Sequence, residues 1–180
     1  MKTAILLISE SGLSIALTLN KEFPDSEIIS TTPLSQCTVV SSFSDFVGET
    51  FNEYDAFIFI GAMGICIRTI APYVKDKHTD PAVICVDSTG KYAISALSGH
   101  IGKANEMTQY IASILGAEAV ITTQSDRNGL WALDTLGKKY NWATLAGLTE
   151  KRSYSDDHMN YIISLFLKKE PTVLLINIRD

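Results

Sequence analysis

"DAFIFIGAMGICIRTIAPYV", residues 55–74, decides the architecture. Ala56 to Ile60 is apolar without alternation, the pattern of a strand covered on both faces. Gly61 and Gly64 then form a Gly-x-x-Gly turn. Ile65, Cys66, Ile67, Thr69 and Ile70 come next at spacing that predicts a helix as far as Pro72. A buried strand that turns through glycine into a helix is the repeating unit of a parallel sheet.

The chain on either side repeats the unit. "TAILLIS" (3–9) reads as a buried strand and "SESGLSIALTLNKEF" (9–23) as a turn into an amphipathic helix. "SEIIST" (26–31) and "CTVV" (37–40) read as short strands. Phe43, Phe46, Val47 and Phe51 recur at helical spacing behind Ser42 or Ser44 as a cap. "PAVICVDSTGKYAISAL" (81–97) predicts two strands joined at Ser88-Thr89-Gly90, a hairpin near residue 90. "GKANEMTQYIASILG" (102–116) reads as a helix stopped by Gly116, and "EAVITTQ" (118–124) as another strand. The expected fold class is α/β: an open, mostly parallel, Rossmann-like doubly wound sheet with helices on both faces. Residues 1–142 form this domain. After Trp142 a polar, turn-rich segment precedes a helix and a strand, so 143–180 reads as a linker and the start of a further region.

Bulk properties narrow the function. The 180 residues carry a net charge of −5 and are 46% apolar. A net negative chain without basic clusters does not suit nucleic acid. The apolar run Ala4–Ile8 is too short for a membrane span or a secretion signal, so a cytoplasmic location is expected. Cys37, Cys66 and Cys85 are odd in number and widely spaced, as expected of reduced thiols rather than a disulfide framework or a zinc site.

Four loops can carry chemistry. The Gly61–Gly64 turn opens a helix whose unpaired N–H groups favour an anion, with Arg68 one turn further in. The "VKDKHTDPAV" loop (74–83) crowds Lys75, Asp76, Lys77, His78, Thr79 and Asp80 ahead of Pro81. In "LSGHIGKAN" (97–105), Ser98 is a candidate N-cap and Gly99 and Gly102 clear space. His100 then falls in the first helical turn, where the helix terminus favours the neutral imidazole a general base needs. Asn105 can face a ligand or satisfy backbone groups. In "ITTQSD" (121–126), Asp126 can cap the next helix or reach the sheet edge. A doubly wound topology predicts that these loops share one edge, forming a cleft for a polyanionic small molecule. Neither GxGxxG nor GxxxxGK[ST] occurs, which weakens a nucleotide-binding alternative.

In that order and spacing, "GAMGICIRTIAP", "KDKHTDPAV", "LSGHIGKANE" and "AVITTQSD" closely resemble the N-terminal region of the cobalamin-biosynthesis CbiG family, the cobalt-precorrin-5A hydrolases. The resemblance covers about residues 55–128. It implies an enzyme of the anaerobic route to vitamin B12 that opens the δ-lactone of a contracted cobalt-corrinoid and releases acetaldehyde. It makes His100, Asp80 and Asp126 the catalytic candidates, with His100 activating water. Main-chain N–H groups from Gly61 to Ile65 become oxyanion donors. Arg68, Lys75 and Lys77 become partners for peripheral acetate and propionate groups, and Ser98, Gly99, Gly102 and Asn105 contribute to substrate binding. It implies cobalt carried by the substrate, no cofactor or metal held by the protein, and contacts with a C-terminal domain beyond Asp180 or with other enzymes of the pathway. The alternative is a non-catalytic corrinoid-binding or assembly domain.

Overall fold

The computed structural model describes residues 1–123. Within them, Met1–Ile121 forms one compact unit. The boundary expected at residue 142 and the segments beyond it lie outside the described residues.

The unit is an α/β fold on a seven-stranded sheet: β1 (Thr3–Leu7), β2 (Ser26–Ser30), β3 (Thr38–Val39), β4 (Ala56–Ile60), β5 (Ala82–Val86), β6 (Tyr92–Leu97) and β7 (Glu118–Val120), in the spatial order β3-β2-β1-β4-β5-β6-β7. The helices are α1 (Leu13–Glu22), α2 (Phe43–Thr50), α3 (Met63–Ile70) and α4 (Ala104–Leu115). β1, β4 and β5 are buried at every position, as their unbroken apolar runs require. Burying each large apolar side chain contributes roughly 1.5–3 kcal/mol, enough to override the weaker local preferences of so short a segment.

Side chains alternate across the sheet and sort the helices onto its two faces. Ile5, Leu7, Ile58 and Ile60 pack with Ala16 and Leu19 of α1 and Ile111 of α4. Leu6, Phe57 and Phe59 pack with Val47 of α2 and with Cys66 and Ile70 of α3. Cys66 and Cys85 are buried and unbridged, and Cys37 is also a free thiol. The Cys66 thiol is held above its ordinary range by its hydrogen bond to Cys85 and by burial.

The helix ends obey local chemistry. Ser42 caps α2 by accepting from the Asp45 N–H at 3.4 Å. Gly116 ends α4 with φ +65°, a conformation glycine adopts without steric cost. α3 stops at Ile70, short of the predicted Pro72. The Ala71 N–H still donates to the Ile67 carbonyl at 2.9 Å and Ala71 keeps helical backbone angles, but Pro72 has no N–H to continue the ladder.

Five of the six strand pairings are parallel, and β5–β6 is antiparallel. The hairpin near residue 90 therefore exists, and it reverses the direction of the chain beyond it. β7 pairs parallel to β6, so both run against the other five strands. Loops that leave β6 and β7 emerge where β5 begins, not where it ends.

Candidate functional site

The reversal divides the candidate residues between the two ends of the sheet. A five-residue strand separates those ends by about 16 Å, at roughly 3.3 Å per residue. The expectation of one shared edge for "GAMG" and "SGHIG" is thereby overturned.

At the carboxyl ends of β1, β4 and β5 stands the Gly61–Gly64 turn. It lies at the switch point of the winding, where β1 leads to β2 on one side and β4 to β5 on the other. The Gly61 N–H donates to the Val86 carbonyl at 2.8 Å, and the Ile8 N–H donates to the Ile60 carbonyl at 3.2 Å. Gly61 has φ +152°, and a Cβ there would lie 2.8 Å from the Ile8 Cβ. Its glycine is thus required by packing as well as by backbone angle. Gly64 is different: an added Cβ would meet only the Arg68 Nη1, at 3.4 Å. Ala62 occupies the N-cap of α3 and brings no side-chain acceptor. The Met63 and Gly64 N–H groups have no intrahelical partner, as at any helix start. Ile65 is exposed, and Arg68 bends back along its own helix to donate to the Gly64 carbonyl at 3.3 Å.

At the opposite end, the loop before β5 and the loop after β6 meet. Asp80 is buried, and its Oδ2 accepts from the main-chain N–H groups of Lys75 at 2.8 Å and Asp76 at 3.0 Å. The carboxylate thereby closes the loop on itself. Lys75 and Lys77 stand exposed on that loop. The Ser98 hydroxyl donates to the Asp80 carbonyl at 2.9 Å and ties the two loops together. A bulge directs the chain into this junction: Val83 faces Leu97 whereas Ile84 faces Ser95, leaving Ala96 extra on β6.

Ser98 is not the cap of α4, which begins at Ala104. The Ala104 N–H donates to the Ser98 carbonyl at 3.2 Å and the Asn105 N–H to the Gly99 carbonyl at 3.0 Å. Loop carbonyls thus satisfy the donors that a capping side chain would have taken. His100 precedes Ala104 by four positions and lies in this turn, so the helix terminus expected to act on it is not there. Asn105 is buried, and its Oδ1 accepts from the Ser95 hydroxyl at 2.7 Å. A Cβ on Gly99 would meet that Oδ1 at 2.7 Å, and one on Gly102 would meet the Ser98 Cβ at 2.5 Å. Asn105, Gly99 and Gly102 therefore hold the loop in its compact shape.

An open cleft of about 500 Å³ lies at this end, between Thr79–Pro81 on one side and Ile101–Lys103 on the other, with Tyr54 and Asp55 in its wall. Tyr54 donates its hydroxyl to Glu27, and the Lys2 ammonium lies 4.2 Å from the centre of its ring. Burial, then the bond to Glu27 and the charges of Glu27 and Glu53, keep the phenol protonated well above its usual range. Lys103 lines the cleft and does not stand out in the sequence. Its one signal there is a lysine directly after Gly102.

The structure thus sets Lys75, Lys77, Asp80, Ser98, Gly99, His100, Gly102 and Asn105 at one end of the sheet, where Asp80 and Gly102 line the cleft and the other six do not, and it separates them from Gly61, Gly64, Ile65 and Arg68. Asp126 lies outside the described residues. Among the described residues no group of three or more His, Cys, Asp or Glu side chains is arranged to hold a metal ion. Nor is any helix among them long and apolar enough to cross a membrane.

Comparison with known proteins converges on one family. Residues 45–126 match the family model described as cobalamin synthesis G N-terminal, and residues 131–180 match the cobalamin biosynthesis central region. The cobalt-precorrin-5A hydrolase of Salmonella typhimurium is 50% identical over 99 residues, which is 55% of this chain and 28% of that protein. The enzyme of the same name from Priestia megaterium is 38% identical over 147 residues, 77% of this chain and 39% of its own length. The chain therefore spans less than half the length of these relatives. A crystal structure of a cobalamin biosynthesis protein G homologue from Sulfolobus solfataricus shares the fold, with a TM-score of 0.55 and 21% identity over 86% of this chain and 51% of that one.

Proposed function

Since the chain belongs to the cobalamin-biosynthesis CbiG family, we propose that it supplies the N-terminal and central regions of a cobalt-precorrin-5A hydrolase of the cytoplasm. Its substrate is a cobalt-corrinoid, and the cobalt arrives as part of that substrate. The reaction opens a δ-lactone by water and releases acetaldehyde. The observation that supports this reading is the Ser98–Asp80 bond that joins the two loops beside an open cleft lined by Thr79, Asp80, Pro81, Ile101, Gly102 and Lys103; Lys75, Lys77 and His100 belong to the same loops but not to that lining.

Each step draws on a residue at that end. Lys75 and Lys77 offer ammonium groups to the acetate and propionate arms of the macrocycle. His100 takes a proton from the attacking water as the lactone carbonyl becomes tetrahedral. Asp80 serves this chemistry by shaping the loop, because its Oδ2 already holds two main-chain N–H groups. The Gly61–Ile65 amides and Arg68 lie at the other end and are withdrawn as oxyanion donors and carboxylate partners for a lactone beside His100.

One observation favours a second reading, in which this unit grips the corrinoid and the rest of the protein completes the chemistry. Asp80 and Asn105 are engaged in holding loops. Titration of the purified chain with a cobalt-corrinoid intermediate, monitored by visible absorbance, tests both. A spectral shift with acetaldehyde release supports the hydrolase reading. A shift without acetaldehyde supports the binding module, and an unchanged spectrum at high ligand concentration overturns both.

A further inference from the structure

We infer that Lys103 is a substrate-positioning residue whose ammonium anchors a peripheral carboxylate of the corrinoid in the cleft between Thr79–Pro81 and Ile101–Lys103. This rests on the corrinoid reading above and extends it to a residue within the "LSGHIGKANE" motif that was not among the sequence candidates.

Three observations support it. First, Lys103 lines the cleft, and the Lys103 side chain forms no ion pair with a carboxylate of the described residues. The other cation in the wall, the Met1 amine, is paired with Asp25 at 3.2 Å. Secondly, the wall's carboxylates are engaged elsewhere. Asp55 accepts from the Lys2 N–H at 2.8 Å, and Asp80 from Lys75 and Asp76. Lys103 thus presents a cation to a site whose acids are already bonded to main-chain N–H groups.

Thirdly, Lys103 has φ +67°, in the left-handed region that glycine enters freely and residues with a Cβ do not. Ser98, at the other end of the turn, has φ +56°. The side chain at 103 is kept at a position where its absence would relax the backbone. Strain of this kind is tolerated where the side chain has a task. A polycarboxylate macrocycle provides that task, since an ammonium can hold one arm while the ring rests on the open cleft.

The test uses the full-length protein and a cobalt-precorrin substrate, with Lys103→Gly, Lys103→Gln and Lys103→Arg. Lys103→Gly should raise the melting temperature while weakening corrinoid binding about tenfold or more, the loss expected for one charge-assisted bond. Lys103→Gln should lose the same affinity without the thermal gain, and Lys103→Arg should recover most of it. The loss should appear mainly in KM, with kcat little changed. Wild-type affinity in both Lys103→Gly and Lys103→Gln overturns the role of Lys103 and leaves the corrinoid reading standing. A wild-type protein that binds no corrinoid overturns both.

Discussion

The Ser98 hydroxyl donates to the main-chain carbonyl of Asp80 at 2.9 Å, across 18 residues of sequence. This bond joins the loop before β5 to the loop after β6. Ser98→Ala removes it and leaves a carbonyl without its partner, at a cost of about 1 kcal/mol. A fall of about 2–4 °C in the melting temperature is expected. Ser98→Gly loses the same bond but relaxes the φ of +56°, so it should fall less. Equal melting of Ser98→Ala and wild type would show that the loops are held by other contacts.

The two glycines of the "GAMG" turn should respond in opposite ways. Gly61→Ala places a Cβ 2.8 Å from Ile8 at a φ that residues with a side chain avoid, and should destabilise the fold by about 1–3 kcal/mol. Gly64→Ala meets only the end of Arg68 and adds helix propensity to the first turn of α3. It should be neutral or stabilising by up to about 1 kcal/mol. Urea unfolding of the two variants checks this, and equal loss in both would mean that the turn tolerates no side chain anywhere.

Much of this architecture is legible in local chemistry. The unbroken run at Ala56–Ile60 reads as a strand buried on both faces, and Ser88-Thr89-Gly90 as a hairpin turn, and both are found. The consequence of that turn is harder to read. A hairpin reverses every later strand until a second reversal occurs, and the β6-to-β7 crossover through α4 keeps the reversed sense. The loop at His100 therefore lands opposite Gly61. Ser98 departs from expectation for a second reason. A serine before a helix usually caps with its hydroxyl, but here the main-chain carbonyls of Ser98 and Gly99 fold back onto the Ala104 and Asn105 donors. Packing against Asn105 and Ser98, not access for a ligand, accounts for Gly99 and Gly102.

The hairpin should set part of the acid response. Asp87 accepts from the main-chain N–H of Tyr92 at 2.6 Å and of Thr89 at 3.0 Å, and from the Thr89 hydroxyl. Partial burial disfavours its charge, but these bonds outweigh burial and hold the carboxyl below its usual range. A depressed carboxyl stabilises the fold above its unfolded value of about 3.9 and loses that contribution as pH falls through the folded value. Asp87→Asn should therefore be less stable than wild type near neutral pH, and the gap should narrow below about pH 4. Urea midpoints compared at pH 7 and at about pH 3 measure this. A gap that stays constant would mean that the carboxylate charge contributes nothing.

The division of the candidate residues between two ends of the sheet yields the sharpest functional prediction. Arg68 and His100 both belong to motifs of the family, yet one points back to Gly64 at the carboxyl ends of β4 and β5 while the other lies in the turn beyond β6. On the proposed reading the reaction belongs to the end of the sheet that holds His100, next in sequence to the cleft-lining Ile101, and not to the end that holds Arg68. In the full-length protein, His100→Ala should lower the rate of acetaldehyde release by about 100-fold or more, the typical contribution of a general base. Arg68→Ala should stay within about threefold of wild type, since an exposed arginine bonded to its own helix contributes little elsewhere. Measuring corrinoid binding alongside the rate separates a chemical role for His100 from a binding one. The reverse result, with Arg68→Ala inactive and His100→Ala normal, would move the reaction to the switch point beside Gly61 and leave the opposite cleft without a part in catalysis.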